Sequence, residues 1–178
     1  MNLRSTALHG VYVVEIEALE DPRGMFARTF CAEEFQRHGL DPRVAQCSVS
    51  VSRLRGMLRG MHYQAAPHGE AKLVRCIRGA VYDVALDLRP GSPSFRQWFA
   101  VELDAAGRSA LYLPPDVAHG YQTLADDTEM YYQMSVAYHP EAARGVRWND
   151  PAFGIRWPVA QPILAPRDAA YPDFTLPR

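Results

Sequence analysis

The chain has 178 residues, 48% of them apolar and 22% charged, with a net charge of −1 and a pI near 6.6. That is enough for one domain over residues 1–178 with a substantial core, and the composition is that of an ordinary globular protein. It excludes any general attraction to nucleic acid or to a membrane surface, and no run approaches membrane-spanning length.

In chain order, Met1 to Gly10 carries no apolar signal core, so a cytoplasmic protein is expected. Val11–Ile16 is a short β-branched run and predicts a strand. Ala32–His38 predicts the one helix, with Glu33 and Glu34 in its first turn, Arg37 and His38 in its last, and Gly39 as the residue that ends it. Lys72–Leu88 predicts two strands with Val74, Cys76, Tyr82, Val84, Leu86 and Leu88 on one face, joined by a tight hairpin turn at Arg78-Gly79. Phe95, Gln97, Phe99, Val101 and Leu103 alternate against Arg96, Trp98 and Glu102, and Ala110–Leu113, Gly120–Leu124 and Met130–Ala137 predict further strands. Many short strands with regular turn signals indicate a β-sandwich or barrel. The Pro-rich stretch from Pro140 to Pro177 predicts loops or short helical turns wrapped around it. The odd set Cys31, Cys47 and Cys76, with no CxxC, argues for small buried or half-buried thiols rather than a disulfide framework or a zinc knuckle.

The chemistry concentrates in Gly56-Met-Leu-Arg-Gly-Met-His62-Tyr-Gln64. A metal site on one strand needs ligands at i and i+2, because alternate side chains face the same way. Here the second position is Gln64. The single imidazole, with Arg59 before it and Lys72 after it, suits a proton-moving base beside an anion-binding wall. The positive charge is local: Arg53, Arg55 and Arg59, then Lys72, Arg75 and Arg78.

Nine motifs in order extend this. They are Asp21-Pro-Arg-Gly-Met-Phe26, Leu58-Arg-Gly-Met-His-Tyr-Gln64, Lys72-Leu-Val-Arg75, Gly79-Ala-Val-Tyr-Asp83, Asp87-Leu-Arg89, Gly91-Ser-Pro93, Pro114-Pro-Asp-Val-Ala-His-Gly120, the pair Tyr132 and Tyr138, and Gly145-Val-Arg-Trp-Asn-Asp-Pro151. Over roughly residues 10 to 170 the chain resembles the nucleotide-sugar 3,5-epimerases of the rhamnose pathway. The resemblance implies an all-β, cupin-type jelly-roll barrel with a short N-terminal helix and a C-terminal wrap, assembled as a homodimer. Metal-binding cupins carry G-x5-H-x-H and P-x-G-x-x-H. This chain keeps the skeleton but has Gln64 for the second His and Asp116 for the Gly, so no metal and no cofactor is expected.

The implied reaction inverts carbons next to a 4-ketone through an enolate, which needs a base, an acid opposite it and a cation at the enolate oxygen. By resemblance His62 is the base, Asp168 its orienting carboxylate, Tyr132 the acid and Lys72 the enolate partner. Spacing alone leaves Tyr131 and Tyr132 open. Tyr138 walls the sugar, His119 contacts substrate, Arg23, Arg59 and Arg167 hold a diphosphate, and Gln46 and Ser48 belong to a substrate-facing strand. The segment Arg23-Gly-Met-Phe26-Ala-Arg28 reaches the nucleotide base in the partner's site. Three positions depart from the family: Ser48 stands where Asn is usual, Arg28 where Glu is usual and Ala165 where Ser is usual. The implied function is 3,5-epimerisation of the dTDP-linked 4-keto-6-deoxy sugar. The alternatives are inversion of C3 only, a CDP- or GDP-linked substrate, or a non-catalytic cupin that binds sugar nucleotides.

Overall fold

The computed structural model describes residues 1–175. The chain runs β1 (Asn2–Ser5), β2 (Tyr12–Glu15), β3 (Ala18–Asp21), β4 (Gly24–Ala27), helix α1 (Ala32–Arg37), β5 (Gln46–Ser52), β6 (Met57–Gln64), β7 (Lys72–Arg78), β8 (Ala80–Asp87), β9 (Trp98–Asp104), β10 (Ala110–Leu113), β11 (Val117–Thr123) and β12 (Thr128–Met134). A 3₁₀ turn (Pro140–Ala142), β13 (Ala143–Gly145), β14 (Ile163–Leu164) and α2 (Pro166–Ala169) follow. One sheet has the order β1-β2-β10-β7-β12-β5, and the other β13-β6-β11-β8-β9 with β14 alongside β6. The β3–β4 hairpin stands apart. Two packed antiparallel sheets with long crossovers make the expected jelly roll.

Between the sheets lies a core that includes Val13, Val74, Cys76, Val81, Ala85, Leu103, Leu111 and Met130. The second sheet is also covered on its outer face, where Met61, Val84, Leu86 and Ala118 meet Val146 and Phe153 of the C-terminal wrap. On the outer face of the first sheet, α1 inserts Phe35 against Val14, Leu73 and Tyr112. Burying that one phenyl ring stabilises by about 2–3 kcal/mol. The helix is short, lacks a side-chain cap at Cys31, and stops where Gly39 adopts φ +70°.

Three sequence expectations change. Arg78-Gly79 is not a hairpin, because β7 and β8 lie in different sheets and the turn is a corner between them. Gly79 is required there: its φ is +75°, and a Cβ would come 2.4 Å from the Thr128 hydroxyl. Crossing the corner also splits the apolar set assigned to one face. Val74 and Cys76 point into the core between the sheets, whereas Tyr82, Val84 and Leu86 point outward beneath the wrap. A strand buried on both faces carries no alternation by which to choose. Finally, the strand expected from Phe95 begins at Trp98, and residues 93–96 form a turn with Arg96 at φ 65°.

Candidate active site

A cavity of about 430 Å³ opens between the sheets, lined from one side by Ser50, Lys72 and Tyr132 of β5, β7 and β12, and from the other by Arg59, His62, His119 and Tyr121 of β6 and β11. The segment Ile163 to Ala165 and Asp168 complete the lining. The sheets therefore present different chemistry to the same space.

His62 and His119 sit opposite each other in the β6–β11 ladder, so both imidazoles share the cavity floor. That ladder is unusually close at Gly60 and Gly120. A Cβ on Gly60 would fall 2.5 Å from the Gly120 Cα, and one on Gly120 would fall 2.9 Å from the Arg59 carbonyl. The C-terminal wrap then delivers the carboxylate. β14 pairs in parallel with β6, Ile163 against Met57 and Leu164 against Leu58, and α2 follows directly. Buried Gln122 fixes this return by accepting from the Val159 amide and donating to its carbonyl, each at 2.9 Å.

Asp168 Oδ1 thereby lies 2.7 Å from His62 Nε2, and its Oδ2 accepts from the Gly60 amide at 3.3 Å. Burial pushes this carboxyl up, but the His62 hydrogen bond and charge, the Gly60 amide and Arg167 outweigh it and hold the group below its ordinary value. The imidazole is 40% exposed while the carboxylate is 6% exposed, so the ring faces the cavity and its partner is shielded behind it.

Across the cavity, Tyr132 faces inward and packs its ring edge-on to His119, with centroids 6.0 Å apart. Its phenol is held well above its ordinary value by burial first, then by Tyr121 and Asp83, with Arg59 opposing. Tyr131 is adjacent but does not line the cavity, as strand alternation requires. Lys72 is buried, and its Nζ pairs with Glu70 Oε1 at 2.5 Å.

The remaining expected site residues scatter. His119 Nε2 faces both oxygens of fully buried Asp83 at 3.0 Å, making a second histidine–aspartate pair. Arg59 Nε donates to Ser52 Oγ at 3.2 Å and Nη2 to the Val51 carbonyl at 3.0 Å. Tyr138 and Arg167 border a smaller recess next to His62, together with Glu70 and Arg144. Gln46 spends its side-chain oxygen on the Tyr138 amide at 2.6 Å. Ser48 pairs with Tyr132 in the ladder yet does not line the cavity, whereas Ser50, two residues on, does. Arg23, Phe26 and Arg28 lie away from the cavity of their own chain. Arg23 pairs with Asp21, and Arg28 with Glu34.

Sequence reasoning missed Tyr121, Glu70, Asp83 and Tyr171. Tyr121 is buried, and its hydroxyl bridges Ser50 and Ser52 at 2.9 and 3.2 Å. Tyr171 packs edge-on to His62, and Gly145 makes room for it, since a Cβ there would lie 2.3 Å from the tyrosine ring. Asp83 did leave a signal: it is one of two carboxylates, with Asp87, inside the otherwise apolar run Val81–Leu88, and such groups must be paired. Gln64 occupies the place of a cupin metal ligand but is committed to structure. Its amide donates to the His68 and Ala137 carbonyls and accepts from the His139 amide.

The sequence model of the dTDP-4-dehydrorhamnose 3,5-epimerase family matches residues 5–175. A dTDP-4-dehydrorhamnose 3,5-epimerase of Mycolicibacterium smegmatis is 41% identical over 98% of this chain and 86% of its own length. A dTDP-4-dehydrorhamnose 3-epimerase of Streptomyces niveus is 40% identical over 94% of this chain and 81% of its own. The crystal structure of the 3,5-epimerase from Elizabethkingia anophelis superposes with a TM-score of 0.95 at 34% identity, covering 98% of this chain and 96% of that one. Shared sequence along nearly the whole chain, on the same jelly roll, places this protein in the dTDP-4-dehydrorhamnose 3,5-epimerase family of nucleotide-sugar isomerases.

Proposed function

We propose that the protein is a cofactor-independent 3,5-epimerase that converts dTDP-4-dehydro-6-deoxy-D-glucose to dTDP-4-dehydro-L-rhamnose. The observation that carries this reading is a cavity with the His62–Asp168 pair on one wall and both Tyr132 and Lys72 on the other. His62 removes the proton next to the 4-ketone, and Asp168 fixes its tautomer and stabilises the imidazolium. Lys72 stands by the enolate oxygen. Tyr132, whose raised value keeps it protonated at neutral pH, returns a proton from the opposite face. Glu70 positions Lys72, Arg59 and Arg167 meet the diphosphate, and Tyr138 walls the sugar. Opposed acid and base are what inversion requires.

The test is deuterium uptake from heavy water with dTDP-4-keto-6-deoxyglucose and its CDP and GDP counterparts, counted by mass spectrometry. Two deuterons on the dTDP substrate are expected. One deuteron would assign C3-only chemistry, the activity named for the Streptomyces niveus relative. No uptake with any of the three would overturn the reading.

The working form in this reading is a homodimer in which the β3–β4 hairpin reaches the partner's site. β5 is the edge strand of its sheet and exposes Val49 and Val51 at 55% and 53%, while the hairpin exposes Leu19 and Phe26 at 73% and 74%. Such apolar exposure calls for cover. Cytoplasmic residence completes the proposal and suits an exposed, unpaired Cys47 thiol. Among the described residues, no helix is long and apolar enough to cross a membrane.

A further inference from the structure

Outside the cavity, His68, His139 and Glu141 each offer a ligand atom, and these atoms lie within 4.8 Å of one another. The two imidazoles are stacked, with centroids 3.7 Å apart and planes 20° from parallel, and His139 Nδ1 lies 3.1 Å from Glu141 Oε1. We propose that this trio binds a divalent transition metal of the zinc class and clasps two segments at the rim of the active site.

Two imidazoles and one carboxylate form a set that zinc accepts with water as fourth ligand. Zinc bonds of about 2.0–2.1 Å put tetrahedral ligand atoms about 3.4 Å apart. Coordination requires the two stacked rings to turn until one in-plane nitrogen of each faces a common point, and the backbone that carries them is held in place. Buried Gln64, 2% exposed, donates to the His68 carbonyl at 3.2 Å and accepts from the His139 amide at 2.6 Å. The Ala65 amide donates to the Ala142 carbonyl at 2.9 Å. One buried amide and one backbone bond thus hold both histidine segments in register. This is the support that a ligand set needs from the residues behind it. The first segment leads to Glu70, the partner of Lys72, and the second contains Tyr138. Glu70 and Tyr138 line the same recess beside His62, so an ion at the trio would restrain both from outside the chemistry. The proposal stands independently of the epimerase reading.

The test uses the full chain without a polyhistidine tag, stripped with EDTA and desalted. Zinc is titrated by calorimetry, and bound metal is counted by plasma mass spectrometry after gel filtration. One zinc per chain at micromolar affinity or better is expected, with a rise in Tm. His68→Ala and His139→Ala should each weaken binding at least about tenfold, and His62→Ala should bind as the wild type does. Cobalt(II) should give visible absorption bands in the wild type and lose them in the His68→Ala/His139→Ala double variant. No retained zinc, or equal zinc in the double variant, would overturn the assignment. Should a variant fail to fold, zinc protection of His68 and His139 from diethyl pyrocarbonate in the wild-type chain, read by peptide mass spectrometry, is expected. Absence of that protection overturns the proposal as well.

Discussion

His62 and His119 share a cavity floor, and each is backed by an aspartate, but only Asp168 reaches its histidine from a distant part of the chain. In the proposed chemistry His62→Ala abolishes deuterium uptake. Asp168→Asn keeps the shape but loses the stabilised imidazolium, and kcat should fall by about 10²–10⁴-fold with KM little changed. Tyr132→Phe should separate the two half-reactions: deuterium still enters at the original face while inversion falls further. Its neighbour offers a subtler test. Tyr121 holds Ser50 and Ser52 and also helps raise the Tyr132 phenol. Tyr121→Phe leaves two hydroxyls short of a partner, so stability should fall by about 1–2 kcal/mol. The Tyr132 titration, followed by ultraviolet difference spectra, should move down.

Among the elements, β6 and β11 are the most constrained, because two glycines face each other where the strands carry His62 and His119. A methyl group at Gly60 would meet the Gly120 Cα and the His119 carbonyl, backbone that has nowhere to go. Gly60→Ala should cost about 3 kcal/mol or more by urea unfolding and should also loosen Asp168, which accepts from the Gly60 amide. The end of β8 supplies a pH test. Asp87 is fully buried; desolvation pushes it up, but Arg89, Ser92 and Ser94 bring it down to about 2 from 3.8. A folded value below the unfolded one means that the stability is present above the unfolded value and is lost as pH falls through the folded one. About 2 kcal/mol should disappear between roughly pH 4 and pH 2. Asp87→Asn should flatten that part of a urea-midpoint profile.

At the scale of the molecule, none of Arg23, Phe26 and Arg28 reaches the cavity of its own chain, and the proposed dimer gives them a place in the partner's. Mixing inactive His62→Ala chains with Arg23→Ala chains should restore about a quarter of wild-type activity, because half the dimers would then hold one intact site in two. If Arg23 served its own chain, no activity beyond that of the Arg23→Ala parent would return. Sedimentation should show a dimer, and a fully active monomer would contradict the arrangement. In that dimer Arg28→Glu, which restores an acceptor, should shift preference among dTDP, CDP and GDP substrates more than it changes kcat.

The sequence alone determined the class of fold and the family. Short strands at turn spacing require a sandwich or barrel, and the ordered motifs around His62, Lys72 and Tyr132 carry the family resemblance, whereas spacing alone leaves Tyr131 and Tyr132 open. The helix at Ala32 was equally legible, since its charges and Gly39 lie within one short segment. What only the tertiary structure decided is long-range. The Arg78-Gly79 corner reads locally like any hairpin, and nothing nearby states that β7 and β8 part into different sheets. In β8, buried on both faces, outward Val84 and inward Ala85 look alike, so parity vanishes from the pattern. The His62–Asp168 bond, which in the sequence follows only from the family resemblance, spans 106 residues and depends on β14 pairing in parallel with β6, an event with no sequence period of its own. Glu70, Asp83 and Tyr121 acquire meaning only from what the folded chain places beside them. The energy of a buried charge or hydroxyl lies in its partners, and those partners come from other strands.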